Sequence, residues 1–260
     1  MILNRLAESA RKRVEQAKQA RPLSELRREA LAQDCQTFFP FERALAQQEI
    51  SFICELKKAS PSQGVIAEHF PYLQIAREYE QAGAAAISVL TEPEYFLGND
   101  QILREITAQV SIPVLRKDFT VDAYQIYEAK LLGAAAILLI CAILDAAQLS
   151  EYITIADSLG VSCLVETHNE QEITTALQAG ARVIGVNNRD LTNFQVDIHH
   201  ALRLRERVPR DRLFVAESGI HTPEDIARLR KQGVNAVLIG EALMIAPDKT
   251  AMFRQLRSQV

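Results

Sequence analysis

The chain has 260 residues, 48% of them hydrophobic, and a formal net charge of −4 at pH 7. That length suits one large domain or two small ones and is close to the roughly 250 residues of a single α/β barrel. A slightly negative charge without blocks of like charge argues against nucleic acid or an anionic membrane as the main partner. The four cysteines form no Cys-x-x-Cys pair, and the longest apolar run, residues 131–144, is shorter than the about 20 residues that span a bilayer. Because the N-terminus has no signal-peptide pattern, we expect a cytoplasmic protein.

The N-terminal segment precedes the repeating part of the chain and has the pattern of helices. Between residues 2 and 20, apolar residues recur at helical spacing among charged ones. Pro22 interrupts this pattern, and residues 24–32 form a second helical segment. We therefore expect a single domain over residues 1–260, in which residues 1–48 are a helical extension that caps one end.

From residue 52 onward, one pattern recurs eight times: a short apolar run, a polar turn and an amphipathic helix. The apolar runs, which we predict to be strands, cover residues 52–56, 85–90, 113–116, 135–140, 162–165, 183–186, 213–216 and 236–239. Strands that alternate with helices form parallel crossovers, so the predicted fold class is α/β, a (β/α)8 TIM barrel with an N-terminal helical extension. The competing architecture is a doubly wound open sheet. It would usually carry Gly-x-Gly-x-x-Gly after its first strand, and this sequence does not.

The first predicted strand ends in charged residues. Glu55 and Lys57 lie two positions apart, so they share a face of the strand at a separation of about 7 Å. Burying an unpaired ion is costly. The two residues therefore form either an internal ion pair or part of an active site, and one strand alone leaves both interpretations open.

Other predicted strands end in the same way. Charged or amide residues at these ends are Lys117, Glu166, Asn187 with Arg189, and Glu217. In a barrel the C-terminal ends of the strands meet at one face, where chemistry collects. One shared pocket with two ammonium groups, a guanidinium and three carboxylates is the simpler account. Such a mixture suits proton transfers on an anionic substrate.

Neighbouring polar residues receive no catalytic role. Arg116, Lys58 and Asn188 alternate away from the interior face and are interpreted as structural, with Arg116 snorkelling between the outer helices. Asp190 is interpreted as the cap of a turn, and His168 as a solvated loop histidine. Neither the histidines nor the acidic residues have metal-ligand spacing, so we predict chemistry without a metal or cofactor.

The last two strands predict an anion site. Ser218-Gly219 follows the seventh strand and Gly240-Glu241 follows the eighth, the positions where barrels usually bind phosphate. Backbone N–H groups and a short helix N-terminus would be the donors, and glycine lets the backbone approach closely. Ser60 follows the first strand, next to the eighth once the barrel closes, and could add a hydroxyl.

Five sequence blocks carry a family resemblance. They are Glu-Leu-Lys-Lys-Ala-Ser-Pro-Ser (55–62), Ser-Val-Leu-Thr-Glu-Pro (88–93), Leu-Arg-Lys-Asp-Phe (115–119), Asn-Asn-Arg-Asp-Leu (187–191) and Glu-Ser-Gly-Ile (217–220). In order and spacing they resemble the signature blocks of the indole-3-glycerol phosphate synthase family, and the similarity runs from the first strand to Met244. The resemblance implies a barrel of tryptophan biosynthesis. The implied reaction closes the pyrrole ring of 1-(2-carboxyphenylamino)-1-deoxyribulose 5-phosphate and releases carbon dioxide and water.

The resemblance also implies catalytic roles. Lys117 would be the general acid that protonates the ketone oxygen, and Glu166 would serve in the later dehydration. Glu55 would position the lysines and bond the substrate. Lys57 and Arg189 would hold the anthranilate carboxylate, although Lys57 is also a candidate acid for the dehydration.

Further positions match the family's substrate contacts. Asn187 would form a hydrogen bond with a ribulose hydroxyl, and Glu217 would complete the polar groups that surround the substrate. Phe96, Phe119 and Leu138 would sandwich the aromatic ring.

The phosphate would be surrounded by Ser60, Ser218, Gly219, Gly240 and Glu241. Some family members have serine at the last of these positions. Glu241 would contribute its backbone N–H, because its carboxylate would repel a phosphate.

Two alternatives remain at this stage. A phosphoribosylanthranilate isomerase would need a cysteine and an aspartate at strand ends, and Cys54 alternates away from the face of Glu55. A non-catalytic binding barrel would be expected to lack a catalytic residue, yet every expected position is filled. We expect a phosphorylated small-molecule substrate, no nucleic-acid or membrane partner, and a monomer, with a dimer as the other possibility.

Overall fold

The computed structural model describes residues 2–35, 38–190 and 194–259. Its strands are β1 (Ser51–Leu56), β2 (Ala59–Ser60), β3 (Gly64–Val65), β4 (Ala86–Leu90), β5 (Val114–Lys117), β6 (Ala136–Ile140), β7 (Ser162–Thr167), β8 (Val183–Asn187), β9 (Leu213–Glu217) and β10 (Ala236–Ile239). Eight of them close into a barrel in the order β1-β10-β9-β8-β7-β6-β5-β4, and every pair in it is parallel. The short β2 and β3 pair antiparallel in the loop after β1.

Helices connect the strands and precede the barrel. They are α1 (Ile2–Ala20), α2 (Leu23–Ala32), α3 (Pro40–Leu45), α4 (Tyr72–Ala82), α5 (Asp100–Thr107), α6 (Ala123–Leu131), α7 (Ala146–Ser158), α8 (Glu170–Gln178), α9 (His199–Leu204), α10 (Pro223–Lys231), α11 (Glu241–Ile245) and α12 (Lys249–Leu256). Many begin at a short polar side chain that accepts a backbone N–H of the first turn, which satisfies a donor that the helix itself cannot pair. These capping residues are Asn99, Asp122, Asp145, Asn169, Thr222 and Asp248. In the described ranges, no helix combines the length and apolar content that crossing a bilayer requires.

The barrel prediction is confirmed. β1 pairs with both β4 and β10, so that Cys54 lies opposite Ile87 on one side and Ile239 on the other. This pairing closes the sheet and excludes the open doubly wound alternative. Seven predicted strands differ from the observed ones by one or two residues at their ends, and the eighth coincides with β10.

The helical extension contacts both ends of the barrel, whereas the sequence predicted a cap at one end. At the N-terminal end, the Ser51 hydroxyl donates to the carbonyl of Ala44 in α3 (3.0 Å), and Phe41 of α3 is fully buried against the barrel interior. At the C-terminal end, Leu3 and Leu6 of α1 pack in the same apolar cluster, above the strand ends. One extension therefore closes the floor of the barrel and covers part of its mouth.

Helix α1 is fastened to the barrel by a buried ion pair. Arg13 donates to both carboxylate oxygens of Asp118 (3.1 and 2.8 Å), and the Thr91 hydroxyl donates to the same carboxylate (2.8 Å). Burial raises the pKa of Asp118, but Arg13, Arg116 and the hydroxyl outweigh it and hold the pKa below its usual value. Because Asp118 directly follows β5, the extension is anchored beside the residue that ends that strand.

Arg116 lies outside the barrel interior, as expected, but it does not snorkel to water. Its side chain is 3% exposed, and it donates to Asp100 (2.8 Å) and Glu128 (2.7 Å) between α5 and α6. A buried guanidinium is retained only with such partners. Arg116 therefore joins β5 to its two flanking helices.

Candidate active site

A cavity opens at the C-terminal face of the barrel. It encloses about 900 Å³, counting space open to solvent. Thirteen of the fifteen predicted site residues line it: Glu55, Lys57, Ser60, Phe96, Lys117, Phe119, Leu138, Glu166, Asn187, Arg189, Glu217, Ser218 and Glu241. The other two, Gly219 and Gly240, line a smaller cavity that adjoins it and shares Glu55, Lys57, Arg189, Ser218 and Glu241. The parallel barrel brings together residues that are up to 186 positions apart in sequence.

Glu55 and Lys57 form an ion pair at the C-terminal end of β1. The Lys57 ammonium lies 3.0 Å from Glu55, and the Ser88 hydroxyl donates to the other carboxylate oxygen (3.2 Å). Burial raises the pKa of Glu55, but Lys57 and Lys117 outweigh it, so the pKa is lowered and the group stays ionised. Gly240 makes room for this carboxylate, because a Cβ there would lie 2.7 Å from Glu55 Oε1. Glu55 and Lys57 therefore form an internal ion pair, and the same pair also faces the cavity.

Lys117 occupies the centre of the polar cluster. Its ammonium lies 3.8 Å from Glu166 and 3.7 Å from Glu217, and its side chain is 15% exposed. Burial lowers the pKa of Lys117, but the carboxylates of Glu217, Glu166 and Glu55 together outweigh it and raise the pKa. From the sequence alone, the direction of the pKa shift of Lys117 could not be determined. Lys117 is therefore a charged ammonium at neutral pH.

Glu217 is the least solvated carboxyl group of the cluster. Burial raises its pKa to about 8, and Glu166 and Glu55 add to this against the opposing charge of Lys117. Its Oε1 atom has no hydrogen-bond partner among the described residues. Gly185 in β8 leaves the space that this oxygen fills, since a Cβ at that position would clash with it. Sequence reasoning missed Gly185, although a glycine inside an apolar strand signals a close approach of this kind.

An apolar slot lies on one side of the cluster. The rings of Phe96 and Phe119 stand 6.2 Å apart at an interplanar angle of 38°, and Leu138 lies in the same wall. The Phe96 loop is held by the buried carboxylate of Glu92, which accepts backbone N–H groups of Glu94 (3.1 Å), Tyr95 (2.7 Å) and Phe96 (3.1 Å). Glu92 was not predicted to have a role. The sequence feature that could have indicated this role is the position of Glu92, directly before Pro93 in the loop after β4.

Helix α1 and β6 supply further apolar lining that sequence reasoning missed. Ile2, Leu3 and Leu6 reach the cavity from α1, and Ile140 reaches it from the end of β6. The apolar face of α1 indicated only that the helix packs somewhere. Its docking over the strand ends depends on the long-range contact between Arg13 and Asp118.

The opposite side of the cluster has the features of an anion site. Ser218 and Gly219 both adopt the left-handed conformation (φ 67° and 73°), which turns the backbone sharply after β9. Asn188 donates to the carbonyl of Ser218 (3.0 Å), which fits its interpretation as a structural residue. Arg189 donates to the carboxylate of Glu241 (3.2 Å). Leu191, the last residue of the Asn187 block, lies outside the described residues.

The interpretation of His168 as a solvated loop residue is wrong. Its side chain is 19% exposed, and its ring stands between Glu166 and Glu172, 3.4 Å from each. The histidine follows β7 by one residue, so it continues the alternation and returns to the side of Glu166. It is a half-buried neighbour of Glu166.

Asn187 ends β8 within the cavity. Its side-chain oxygen accepts the backbone N–H of Arg189 (3.0 Å), which leaves the amide NH₂ as a donor toward the pocket. Among the residues that the structure describes, His, Cys, Asp and Glu side chains form no group of three that could hold a metal ion.

Fold and site together define a (β/α)8 barrel enzyme with acid–base groups, an apolar slot and an anion site at the C-terminal face. The sequence model described as indole-3-glycerol phosphate synthase matches residues 3–256. An indole-3-glycerol phosphate synthase of Ruminiclostridium cellulolyticum is 56% identical over 257 residues, which cover 99% of each chain. One of Endomicrobium trichonymphae is 52% identical, covering 99% of this chain and all of the relative. The chain belongs to the indole-3-glycerol phosphate synthase family.

Solved structures that resemble the chain support the fold alone. A crystal structure of a 3-hexulose-6-phosphate synthase superposes with a TM-score of 0.66 at 16% identity, over 81% of this chain and 100% of that one. A thiamine phosphate pyrophosphorylase from Pyrococcus furiosus gives a TM-score of 0.59 at 18% identity, over 81% and 95%.

Cys54 does not support the isomerase alternative. Its side chain is fully buried on the outer, helix-facing side of β1, and burial raises the pKa of its thiol. Such a thiol is inert and points away from the cavity.

Proposed function

We propose that Lys117 and Glu166 carry the acid–base chemistry of the family's reaction, the ring closure of 1-(2-carboxyphenylamino)-1-deoxyribulose 5-phosphate with loss of carbon dioxide and water. The observation that carries this proposal is the position of the Lys117 ammonium. It lies 3.8 Å from Glu166 and 3.7 Å from Glu217, between the apolar slot and the anion site. A substrate with an aromatic ring at one end and a phosphate at the other would place its reacting carbons beside this ammonium.

The two ends of the cavity suit the two ends of the substrate. The aromatic ring would lie between Phe96 and Phe119, against Leu138, where stacking and apolar burial are favourable. Lys57 and Arg189 would hold the ring carboxylate through charge-assisted hydrogen bonds.

At the other end, the phosphate would accept the backbone N–H groups of the Ser218-Gly219 and Gly240-Glu241 turns. The hydroxyl of Ser60 would be a further donor to it.

Ring closure develops negative charge on the ketone oxygen as the ring carbon attacks it. Lys117 is a charged ammonium and would donate its proton to that oxygen, which replaces an alkoxide by a hydroxyl. The carboxylate then leaves as carbon dioxide, and its bonding electrons restore the aromatic ring.

Dehydration completes the pyrrole ring. Glu166 would accept a proton from the substrate carbon, whose bonding electrons form the new double bond as the hydroxyl departs. The departing hydroxyl takes a proton from an ammonium group, for which Lys57 and the reprotonated Lys117 are both within the cavity. Glu55 would keep both lysines in place. Asn187 would donate a hydrogen bond to a ribulose hydroxyl, and Glu217 would complete the polar groups that surround the substrate.

The roles of Lys117 and Glu166 are tested by replacing each residue. Lys117→Ala should abolish turnover while substrate still binds through its phosphate, and Glu166→Gln should slow turnover by about 10²–10⁴-fold, the usual contribution of acid–base catalysis. Formation of indoleglycerol phosphate is followed by fluorescence without added metal or nucleotide, and binding by titration. Lys58→Ala is the matched control for charge. Near-normal kcat in Lys117→Ala, or an unchanged pH–rate profile in Glu166→Gln, would contradict the assignments.

We further propose that residues 1–260 act as one domain and as a monomer in the cytoplasm. The supporting feature is that the extension packs on the same chain's barrel, at both ends, rather than leaving its apolar face open. Light scattering on the eluting protein measures the mass, and a mass near twice 29.1 kDa would contradict the monomer.

A further inference from the structure

A buried imidazole behind Glu166 has no part in the mechanism above. His168 follows β7 directly, and its ring stands between two carboxylates. Nε2 lies 3.4 Å from Glu166 Oε1, while Nδ1 lies 3.4 Å from Glu172 Oε2. Glu172 also accepts the backbone N–H of His168 (2.8 Å) and the side-chain amide of Asn169 (2.8 Å). The imidazole is therefore held from its far side by α8 and aimed at Glu166.

The ring is in an environment that favours its charged form. Burial lowers the pKa of His168, but Glu172, Glu166 and the more distant Glu217 outweigh it, so the pKa is raised. From α9, His200 Nε2 contacts only the backbone carbonyl of His168 (2.8 Å). His168 Nε2 is buried and lacks a hydrogen-bond partner among the described residues. An unpartnered buried ring nitrogen beside a carboxylate is costly unless the two groups interact.

Glu166 thus stands between two cations. Its Oε2 atom faces the Lys117 ammonium (3.8 Å), and its Oε1 atom faces the imidazole. The side chain is 3% exposed, so water does not compete for either oxygen. Removing one of the two cations would release the carboxylate to turn toward the other.

His168 also lies beside a second cavity. Glu166 lines the first cavity, whereas His168 and Glu172 line the second, which encloses about 1240 Å³, counting space open to solvent.

We propose that His168 is a positioning residue for Glu166: its imidazole holds one oxygen of the carboxylate so that the other faces the reacting carbon. This inference rests on the role of Glu166 proposed above. Because His168 acts through Glu166 and touches no substrate, its loss should lower kcat and leave KM nearly unchanged.

The experiment compares kcat and KM in three variants. His168→Ala should lower kcat about tenfold, a fraction of the about 10²–10⁴-fold contribution of acid–base catalysis, with KM within about twofold of the parent. His168→Gln should recover most of the rate, because its amide can donate to Glu166 in place of the ring N–H. His199→Gln, which changes an exposed histidine on α9, should leave kcat and KM unchanged.

A double-mutant cycle links the effect to Glu166. In Glu166→Gln, the further change His168→Ala should cost almost nothing, because residues that act together are not additive. Parent-like kcat in His168→Ala, or a His168→Gln variant no faster than His168→Ala, would overturn the inference while leaving Glu166 in place. Parent-like kcat in Glu166→Gln would overturn the role of Glu166 and this inference with it. Circular dichroism and thermal midpoints identify a variant that fails to fold; if His168→Ala does so, His168→Leu takes its place in each comparison.

Discussion

Arg189 is paired with Glu241, and a substrate carboxylate that binds Arg189 would have to displace Glu241. The carboxylate lies 3.2 Å from the guanidinium, and the two side chains are 23% and 21% exposed. At this distance and an effective dielectric constant of about 20, two unit charges attract by about 5 kcal/mol before desolvation and ordering are counted. Pairs in contact with water retain about 0.2–1 kcal/mol after these costs. That remainder is lost whenever Arg189 turns to the substrate carboxylate.

Glu241→Gln should therefore improve substrate binding. Because 1.4 kcal/mol corresponds to a tenfold change, releasing Arg189 should lower KM by about 1.4- to fivefold. Removing a negative charge beside the phosphate turn acts in the same direction. The size and shape of the side chain are kept, so kcat should stay close to that of the parent.

The assay is steady-state kinetics with inorganic phosphate as a competitive inhibitor. KM and the phosphate inhibition constant should both fall in Glu241→Gln, and the difference from the parent should shrink at high salt, which screens charges. Glu151→Gln, an exposed glutamate on α7, makes the same change in net charge far from the cavity. An unchanged or higher KM in Glu241→Gln, with Glu151→Gln like the parent, would refute the displacement reasoning.

Three further perturbations test other parts of the structure. Gly240→Ala would put a Cβ 2.7 Å from Glu55 Oε1. Overpacking costs about 1–3 kcal/mol, so kcat/KM should fall roughly 5- to 150-fold. A parent-like value would show that the backbone of this turn can shift to accommodate the added methyl group. Arg13→Ala would leave Asp118 buried without its cation, and urea unfolding should show a loss of about 1.5–3 kcal/mol, the value of hydrogen bonds to a charged group; no loss would mean that α1 is held by apolar contacts alone. The folded-state pKa of His168 is raised, so its contribution to stability is present in full below the unfolded value of about 6.5 and is lost as pH rises through the folded value. His168→Gln should therefore cost more stability at about pH 5.5 than at about pH 8.5, and equal losses at both would contradict a charged imidazole.

The positions that could be predicted from the sequence share a simple geometric cause. Side chains alternate along a strand, and parallel strands in a barrel deliver their ends to one face. These two rules convert Glu55, Lys57, Lys117, Glu166 and Glu217 from scattered positions into one cluster. The sign of the Lys117 pKa shift needed the distances, since burial and the carboxylates oppose each other there.

The positions that were missed depend on contacts across the chain or beyond a strand end. The sequence contained the neighbours of His168, with Glu166 two residues before it and Glu172 four residues after it. Joining them required a helix that starts at once after β7, which the capping residue Asn169 produces. The contact of Arg189 with Glu241 spans 52 residues, so no local pattern could indicate it.

The Arg13–Asp118 contact has a thermodynamic consequence for ligand binding. Docking of α1 supplies part of the wall of the cavity through Leu3 and Leu6, so a ligand in the cavity would contact both α1 and the barrel. We expect docking and binding to be linked equilibria, in which each favours the other by the same free energy. The amides of α1 should then exchange more slowly with deuterium when substrate is bound, while those on the far side of the barrel stay unchanged. The N-terminal helix would report on occupancy of the site as well as complete its wall.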